Sequence, residues 1–435
     1  MFFHQRWFIL ILLILCHPSV LLFAQLGTQL GTSTATNDSQ SLLSQWLSDL
    51  DDDRFIVRRR AMRKLVDARA KAIPLVANAA CSTSREVAGC SVNILATLAN
   101  SPDRKCADDA IDALNQIARS SRPVSQEAEF AVRKYQKRRK LEVIDTFTRL
   151  GADIDFRRGS SGTQGAIVRM NREWKGDNQD VAKLRFMQPV SWISFEHSRL
   201  GNDALSHLAG FSSVQKLYLG NSRVTGVGLA SLYGLSSLTH LSLQHLQVQD
   251  DELTGLYGLA SIQSLGLDDT PITNAGLPHL NAVPYLEELW LDRTDVTDVG
   301  LKLLLPLAEL KKLHLVETNV AGPGLGHLTE LPKLERLWMK GVKLDEPSLK
   351  LLSQLVQLKE LGLDYTPLHD DHLFHLSYLN HLEILWLSKT AVSDVGLQHL
   401  KTLTNLRKLY LHGTKVTTEG AAELDHILPH CKIYR

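Results

Sequence analysis

The chain has 435 residues, 44% of them hydrophobic, and its 48 basic and 47 acidic residues leave a formal net charge of +1. This length exceeds what one compact core usually holds, so we expect two domains. The near-balance of charge disfavours nucleic acid as a partner, because such a partner selects for a strongly basic surface.

The N-terminus has the layout of a secretory signal. An almost uninterrupted apolar run, residues 7–16, follows Arg6, and residues 20–24 continue it. We predict that residues 1–24 are a signal peptide cleaved after Ala24 or, because Leu22 is bulky for a cleavage site, an uncleaved membrane anchor. The predicted location is extracytoplasmic: secreted, periplasmic or membrane-anchored. Residues 25–40 have few large apolar side chains and are predicted to form a flexible linker.

Residues 41–150 have the apolar spacing of helices, which begins at residues 42–47 and recurs in four further stretches. The three aspartates at residues 51–53 are predicted to cap the helix that follows, rather than to hold a metal. A longer helix is predicted over residues 125–150, and its basic run at residues 137–140 is interpreted as a solvated face.

Residues 50–65, Leu-Asp-Asp-Asp-Arg-Phe-Ile-Val-Arg-Arg-Arg-Ala-Met-Arg-Lys-Leu, resemble the start of a HEAT repeat. Arg and Ala stand near the places where that family puts them. The resemblance covers two or three degenerate units and implies a small all-α HEAT-like domain over residues 41–150.

Residues 151–189 are predicted to cap the repeats that follow them. Two short extended stretches, Asp153 to Phe156 and Ala166 to Met170, flank a Gly- and Ser-rich segment, and this arrangement predicts a hairpin. Such a hairpin would cover the exposed core of the first repeat.

From Val190 to Pro429 one apolar pattern recurs every 24 residues in ten units, without an insertion or deletion. In one unit, Leu286, Leu289 and Leu291 predict a short strand, and apolar residues three apart then predict a short helix. A single unit buries too little apolar surface to offset the entropy lost on ordering it. The units are therefore predicted to stack, with their strands in one parallel sheet and their helices outside it. An eleventh strand of the series is predicted around Ile433.

The pattern LxxLxLxxTxVTDxGLxxLxxLxx, almost unaltered in the units at Leu286, Leu382 and Leu406, resembles a leucine-rich repeat of the bacterial and F-box type. The resemblance implies an α/β fold, in which a leucine-rich-repeat solenoid (a parallel-sheet horseshoe) over residues 190–435 ends in a cap strand and follows the small all-α HEAT-like domain. It also implies a protein-recognition scaffold and not a catalyst.

Two columns of the repeat depart from full regularity. The ninth column is Ser or Thr in eight units, where the hydroxyl can bond unpaired backbone groups, but Leu246 and Val342 interrupt it. The fifteenth column is Gly in six units, and local distortion or function is expected where it is Ala204, Glu252, Ser348 or His372.

The fifth column is predicted to point out of the sheet, and it holds aromatic residues in the later units. Aromatic side chains surrounded by charges have the composition of an interface centre. The predicted partner-binding residues are Trp290, His314, Trp338, Trp386 and Tyr410, with Glu288, Asp292, Arg336 and Lys340 around them. Two alternatives stay open: that the rings lie flat and only shield the backbone, and that the row stacks on a glycan.

Catalytic, cofactor-binding and metal-binding residues are not predicted. The densest candidate, His369 to His375, contains His372 and His375 on one helix face, but His375 belongs to a column that is His in four other units. Among Cys81, Cys90 and Cys106 one disulfide is feasible in an oxidising compartment, whereas Cys431 lies near the far end of the solenoid.

The sequence therefore predicts an exported, non-catalytic interaction protein that binds a protein partner on the concave face of its repeats, without a cofactor. The membrane is expected to contact the chain only through an uncleaved N-terminal segment. The alternatives are an F-box-like ubiquitin-ligase substrate adaptor, suggested by the repeat type alone, and a cell-surface adhesin or glycan-binding protein.

Overall fold

The structure is a computed structural model that describes residues 34–121, 123–156 and 165–435. The predicted signal or anchor at residues 1–24 and the first part of the predicted linker lie outside the described residues. The chain divides into two compact units, Met1–Tyr135 and Gln136–Arg435. Within the described residues, no helix is long and apolar enough to cross a membrane.

The first unit is helical, as its apolar spacing predicts. Leu50, Leu65, Leu95 and Leu114 are fully buried between the helices. Short 3₁₀ turns at Asp49–Asp51 and Arg69–Lys71 join some of these helices. The α-helices are α1 (Thr34–Ser48), α2 (Phe55–Asp67), α3 (Ile73–Ala79), α4 (Arg85–Leu98), α5 (Arg104–Ala118) and α6 (Ser125–Arg149).

The predicted linker extends too far along the chain. Helix α1 begins at Thr34, so residues 34–40 are helical and not part of a linker. Once a helix is nucleated, each added residue gains one hydrogen bond, so α1 extends N-terminally beyond the first of its apolar residues.

The three aspartates before α2 do not cap it, so that prediction is wrong. The N-cap residue is Arg54, and its side chain makes no capping bond. Asp52 instead accepts from the Arg54 backbone N–H at 2.8 Å and pairs with the Arg54 guanidinium at 3.0 Å. Asp51 accepts from the Ser84 hydroxyl at 2.6 Å. Because these carboxylates lie before the start of α2, they do not accept hydrogen bonds from the first free backbone N–H groups of the helix.

The four cysteines of the described residues are free thiols, so the feasible disulfide is not formed. Cys81 is exposed, whereas Cys106 is buried. Burial raises the pKa of the Cys90 and Cys106 thiols, and it raises the pKa of Cys431 to about 11. A raised thiol pKa lowers reactivity, because the thiolate is the nucleophile.

The second unit begins inside α6 and not at the end of that helix, where the sequence places the boundary. Val143 and Phe147, in the second half of α6, are buried in the same core as the repeats. The Phe147 ring lies 5.0 Å from the ring of Trp174. The helical spacing continues across the boundary, so the sequence pattern gives no sign of it.

All strands of the second unit form one sheet in chain order. The first two are antiparallel and the second is parallel to the third, which confirms the hairpin and its place beside the first repeat. The strands are β1 (Asp153–Asp155), β2 (Ala166–Arg169), β3 (Val190–Ser194), β4 (Lys216–Tyr218), β5 (His240–Ser242), β6 (Ser264–Gly266), β7 (Glu288–Trp290), β8 (Lys312–His314), β9 (Arg336–Trp338), β10 (Glu360–Gly362), β11 (Ile384–Trp386), β12 (Lys408–Tyr410) and β13 (Lys432–Tyr434).

The predicted register is confirmed at every step. Leu289 lies opposite Leu313, and Leu409 lies opposite Ile433, so β13 is the predicted final strand. The fourth-column residues Leu289, Leu313 and Leu409 are fully buried. Parallel strands with this alignment place each column of the repeat in a straight row across the sheet.

The return segments are short, and many are 3₁₀-helices and not α-helices. A 3₁₀-helix has three residues per turn, so apolar residues three apart, such as Gly226, Leu229 and Leu232, fall on one buried face. The 3₁₀ segments are Ala182–Phe186, Gly226–Leu232, Asp251–Leu256, Leu277–Ala282, Pro323–Glu330, Asp370–His372 and Gln398–Thr402. The α segments are α7 (Asn178–Val181), α8 (Asn202–Ser206), α9 (Asp298–Lys302), α10 (Glu346–Leu352), α11 (Leu373–Leu376), α12 (Asp394–Leu397) and α13 (Thr418–Ile427).

The ninth-column hydroxyls bond the backbone, as predicted. Thr270, Thr294 and Thr366 donate to the carbonyl three residues earlier at 2.5 to 2.6 Å. Leu246 and Val342, which lack the hydroxyl, are buried. The column therefore tolerates an apolar side chain in place of the hydrogen bond.

At six junctions, an Asn or Asp in the thirteenth column bonds the backbone of the next repeat. Asn274 Oδ1 accepts from the Thr297 backbone N–H at 3.0 Å, and the Asn274 amide donates to Thr297 Oγ1 at 2.8 Å. A Cβ at Gly300 would lie 2.3 Å from the same oxygen, so only glycine fits there. The fifteenth-column glycines are required by the side chain of the repeat before them.

Packing also explains two of the departures from glycine. Glu252 follows a repeat with Gly226 in the thirteenth column, and a Cβ on that glycine would lie 2.3 Å from Glu252 Cβ. Ser348 is buried, and its hydroxyl donates to the Ala321 carbonyl at 3.0 Å. Neither position requires a functional explanation.

Candidate partner-binding face

The predicted aromatic residues lie on the outward face of the sheet. Trp290, Trp338 and Trp386 are half-buried, whereas the leucines that precede them in each strand are fully buried. Successive side chains of a strand point to opposite faces, so the rings and the apolar core lie on opposite sides of the sheet. The register that places these tryptophans outward is confirmed.

The rings form one continuous row, which we call the aromatic row. Adjacent ring centroids in the row are 5.3, 4.0, 6.4, 5.5 and 4.6 Å apart. The planes of three of these pairs are within 18° of parallel. The members of the aromatic row are Trp290, His314, Trp338, Trp386, Tyr410 and Tyr434.

Tyr434 belongs to the row, but the sequence interpretation omitted it from the site. The signal was present, because Tyr434 occupies the fifth column of β13, opposite Tyr410. Its ring is stacked on that of Tyr410 with 6° between the planes.

Gly362 makes the row continuous across a strand that carries no ring. Trp338 and Trp386 are two strands apart, yet their ring centroids are 6.4 Å apart. A Cβ at Gly362 would lie 2.7 Å from Trp338 Cδ1, so the indole leans over this glycine. A larger residue at this position would push the two tryptophans apart.

Two rings of the row lie between two others. His314 lies between Trp290 and Trp338, and Tyr410 lies between Trp386 and Tyr434. Rings packed face to face within the row cover each other's faces. Burial, reinforced by the nearby Lys312 ammonium, lowers the pKa of His314 to about 4, so its imidazole is neutral at neutral pH.

The charges predicted around the rings are largely engaged within the protein. Glu288 forms an ion pair with Lys312, and Arg336 forms one with Glu360 at 3.2 Å. Lys340 Nζ lies 4.8 Å from the centroid of the Tyr365 ring. These side chains therefore frame the row instead of offering unpaired charge.

Asp292 holds the backbone of the neighbouring repeat. Its Oδ1 accepts from the Val316 N–H at 2.8 Å. Burial raises its pKa to about 6, and the nearby carboxylate of Asp268 adds to the shift. The structure thus gives this predicted contact residue a structural hydrogen bond as well.

A row of alternating charges runs beside the strands in the second column. Lys311 pairs with Glu287 at 2.8 Å, and Lys359 pairs with Glu335 at 2.8 Å. These lysines line a shallow groove of about 370 Å³ with Lys333. Every lysine of the groove has a carboxylate partner, since Lys333 pairs with Glu309 at 2.6 Å.

Two rings of the histidine cluster on the helical side contact each other. The rings of His369 and His372 are 3.6 Å apart, and His375 Nε2 lies 4.0 Å from a Glu346 carboxylate oxygen. Burial lowers the pKa of His372, and the neighbouring His369 adds to this effect. Over the residues that the structure describes, no group of three or more His, Cys, Asp or Glu side chains could hold a metal ion.

Residues 212–272 match the family model described as leucine rich repeat. The same register continues through the other strands of the sheet. The solenoid is therefore built from leucine-rich repeats. Leucine-rich repeats are, in general, a protein-interaction scaffold.

Solved structures that resemble the chain include other repeat proteins. An internalin from Listeria monocytogenes has a TM-score of 0.43 and 13% identity, and the match covers 62% of this chain and 86% of that one. A TDR receptor gives a TM-score of 0.40 and 17% identity, with 59% and 48% covered. A leucine-rich repeat protein from Leptospira interrogans gives 0.33 and 17%, with 58% and 80% covered. No curated protein sequence matches the chain.

Proposed function

We propose that this chain is an exported, non-catalytic interaction protein that binds a partner protein through the aromatic row. The observation that carries the proposal is the row itself, six adjacent rings on the outward face of the repeats, with three of the five neighbouring pairs stacked. Half-buried tryptophans in a desolvated centre, framed by charged side chains, are the usual composition of binding hot spots.

The stacking favours a protein over a glycan. A sugar binds an aromatic side chain by lying against the face of the ring, but in three of the five neighbouring pairs of this row the rings cover each other's faces. Ring edges, including the indole N–H groups, suit aliphatic side chains and backbone carbonyls of a partner protein.

The proposal of export rests on the apolar run at residues 7–24 after Arg6. The rival F-box adaptor would act inside the cell and retain Met1. Mass spectrometry of the N-terminus of the native protein separates the two. A chain that keeps Met1 in a soluble cytosolic pool would contradict export, whereas a chain that begins at Gln25 would support it.

The binding experiment compares two double variants in a pull-down from an envelope extract. Trp290→Ala with Trp338→Ala removes two rings of the row, and Tyr233→Ala with Tyr257→Ala removes two exposed rings of the return segments. We expect the same proteins to be captured by the wild type and the tyrosine variant, and to be lost from the tryptophan variant. Circular dichroism checks that both variants are folded. Equal capture by all three proteins would disprove the proposed site.

A further inference from the structure

Helix α2 carries most of the local positive charge in the first unit. Residues 54–71 contain eight basic residues and one acidic residue, a net charge of +7, although the whole chain carries only +1. Such an asymmetry marks a surface for an anionic partner, because a balanced solvated helix would alternate its charges.

The basic side chains share one face of the helix. At about 100° per residue, Ile56, Arg59, Arg60 and Arg63 fall within an arc of roughly 100°. All four are exposed, whereas Leu65 on the opposite face is fully buried. The helix therefore docks on its own unit through one side and presents the arginines on the other.

These arginines differ from Arg58, which serves the fold. Arg58 is mostly buried, donates to the Asp52 carbonyl at 2.9 Å and pairs with Glu86 at 3.4 Å. Arg59, Arg60 and Arg63 have no ion pair or hydrogen bond through their side chains within the described part of the chain. Their charge is available to an external anion.

Two large apolar side chains stand at the N-terminal end of the same surface. Phe55 is 64% exposed and Ile56 is 79% exposed. On the adjoining helix α1, Leu42 is 47% exposed, and Trp46 lies under the Lys64 ammonium at 5.2 Å. Protruding apolar groups beside unpaired arginines suit a bilayer interface, where the rings and aliphatic chains enter the acyl boundary and the cations meet headgroup phosphates.

We infer that the exposed face of α2, formed by Phe55, Ile56, Arg59, Arg60 and Arg63, docks on an anionic lipid bilayer. This contact is separate from any insertion of residues 1–24 and from the aromatic row. A nucleic acid would use the arginines but would not require exposed Phe55 and Ile56.

The test uses the full chain with vesicles that contain a diazirine-labelled phospholipid, and it maps cross-links by peptide mass spectrometry. This readout is local, so it works whether or not residues 1–24 insert. We expect residues 55–63 to be labelled on vesicles with 30% phosphatidylglycerol and at least about 50-fold less on phosphatidylcholine alone, because the neutral surface attracts none of the three arginines. Raising NaCl from 0.1 to 0.5 M should reduce the labelling on the anionic vesicles, because salt screens the attraction.

Two matched variants test whether labelling depends on the charges of α2 or on the net charge of the whole chain. Arg59→Gln with Arg60→Gln and Arg63→Gln should lower labelling of this segment at least about 50-fold, since each cation near the surface contributes about fivefold. Lys105→Gln with Lys134→Gln and Lys137→Gln removes the same charge from exposed positions of α5 and α6 and should leave labelling within about twofold.

A charge-neutral variant tests insertion. Phe55→Ser with Ile56→Ser should lower labelling about tenfold, because it removes apolar area that enters the bilayer. Equal labelling on the two lipid compositions would overturn the inference. Labelling that is insensitive to Phe55→Ser with Ile56→Ser, together with displacement by poly-glutamate or duplex DNA at equal charge, would identify a general polyanion site and would also overturn it.

Discussion

The junctions between repeats and the outward face of the sheet share one 24-residue register, yet they constrain their side chains differently. At a junction, the carbonyl oxygen of the Asn274 side chain leaves no space for a Cβ at Gly300. On the face, the fifth column holds Gly266, Trp290 and Gly362 without a change in strand pairing. Junction residues are therefore fixed in pairs by packing, whereas strand pairing does not dictate which residue occupies the fifth column.

The largest expected effect is at a junction. Gly300→Ala should lower the free energy of unfolding by about 3 kcal/mol, because the new Cβ overlaps Asn274 Oδ1 and crowds Leu277. Gly322→Ala is the matched control, since the nearest atom to its Cβ would be 3.7 Å away. Urea unfolding followed by circular dichroism measures both. If the two variants lost equal stability, the comparison of junction packing would fail.

On the face, we expect rings inside the aromatic row to stabilise more than the ring at its end. Trp338→Ala should cost about 2 kcal/mol, because it removes contacts to His314 and Trp386 and uncovers Gly362. Trp290→Ala loses one ring contact, to His314 at 5.3 Å, and should cost about 1 kcal/mol. Urea unfolding midpoints measure the difference, and a larger loss for Trp290→Ala would contradict the stacked row.

Two groups of the face should give opposite pH dependences of about 1 to 2 kcal/mol each, with solvent screening included. The lowered pKa of His314, about 4, means that its contribution to stability is lost as pH falls from 6.5 to 4. The raised pKa of Asp292, about 6, means that its contribution is lost as pH rises from about 4 to 6.

Single variants separate the two groups. His314→Phe keeps a ring in the row. The unfolding free energy of this variant minus that of the wild type should be larger at pH 4.5 than at pH 7.5. Asp292→Asn keeps the acceptor for Val316 N–H. The unfolding free energy of this variant minus that of the wild type should be larger at pH 7.5 than at pH 4.5. Urea unfolding at the two pH values checks both signs, and a pH-independent difference for either variant would refute the assignment of that group.

The smallest effect is expected in the ninth column. Thr294→Val removes a hydrogen bond to the Leu291 carbonyl and should cost 1 kcal/mol or less, roughly the net contribution of one such bond. Leu246 and Val342 already occupy this column as buried apolar residues. A cost similar to that of Gly300→Ala would show that the hydroxyl column, and not the junction, governs stability.

Much of the fold follows from the sequence pattern. The leucine spacing predicts the strands, their order and their alignment, because any other register would expose the apolar columns. The same spacing places Trp290, Trp338 and Trp386 on the outward face. Whether this face binds a partner stays a prediction.

Other features do not follow from the apolar pattern. The eighth-column residue of every repeat has a positive φ, between 53° and 74°, and from His197 to Lys389 its N–H bonds the next repeat, as from Asp269 to the Asp292 carbonyl at 2.9 Å. These residues are His197, Asn221, His245, Asp269, Arg293, Glu317, Gly341, Tyr365, Lys389 and Gly413. Six of the ten are Gly, Asn, Asp or His, types that favour positive φ, whereas Arg293, Glu317, Tyr365 and Lys389 do not, so at those four the neighbouring repeat imposes the left-handed conformation.

The sequence by itself determined the number of repeats, their register and which columns are buried, because the apolar side chains alternate with the strand and must face one core. Only the tertiary structure decided how neighbouring repeats meet: the left-handed turn after each strand, the pairing of Asn274 with Gly300, and the passage of the row from Trp338 to Trp386 over Gly362. Each of these depends on atoms about one repeat or more apart in the chain, which come within contact distance only when the strands are stacked.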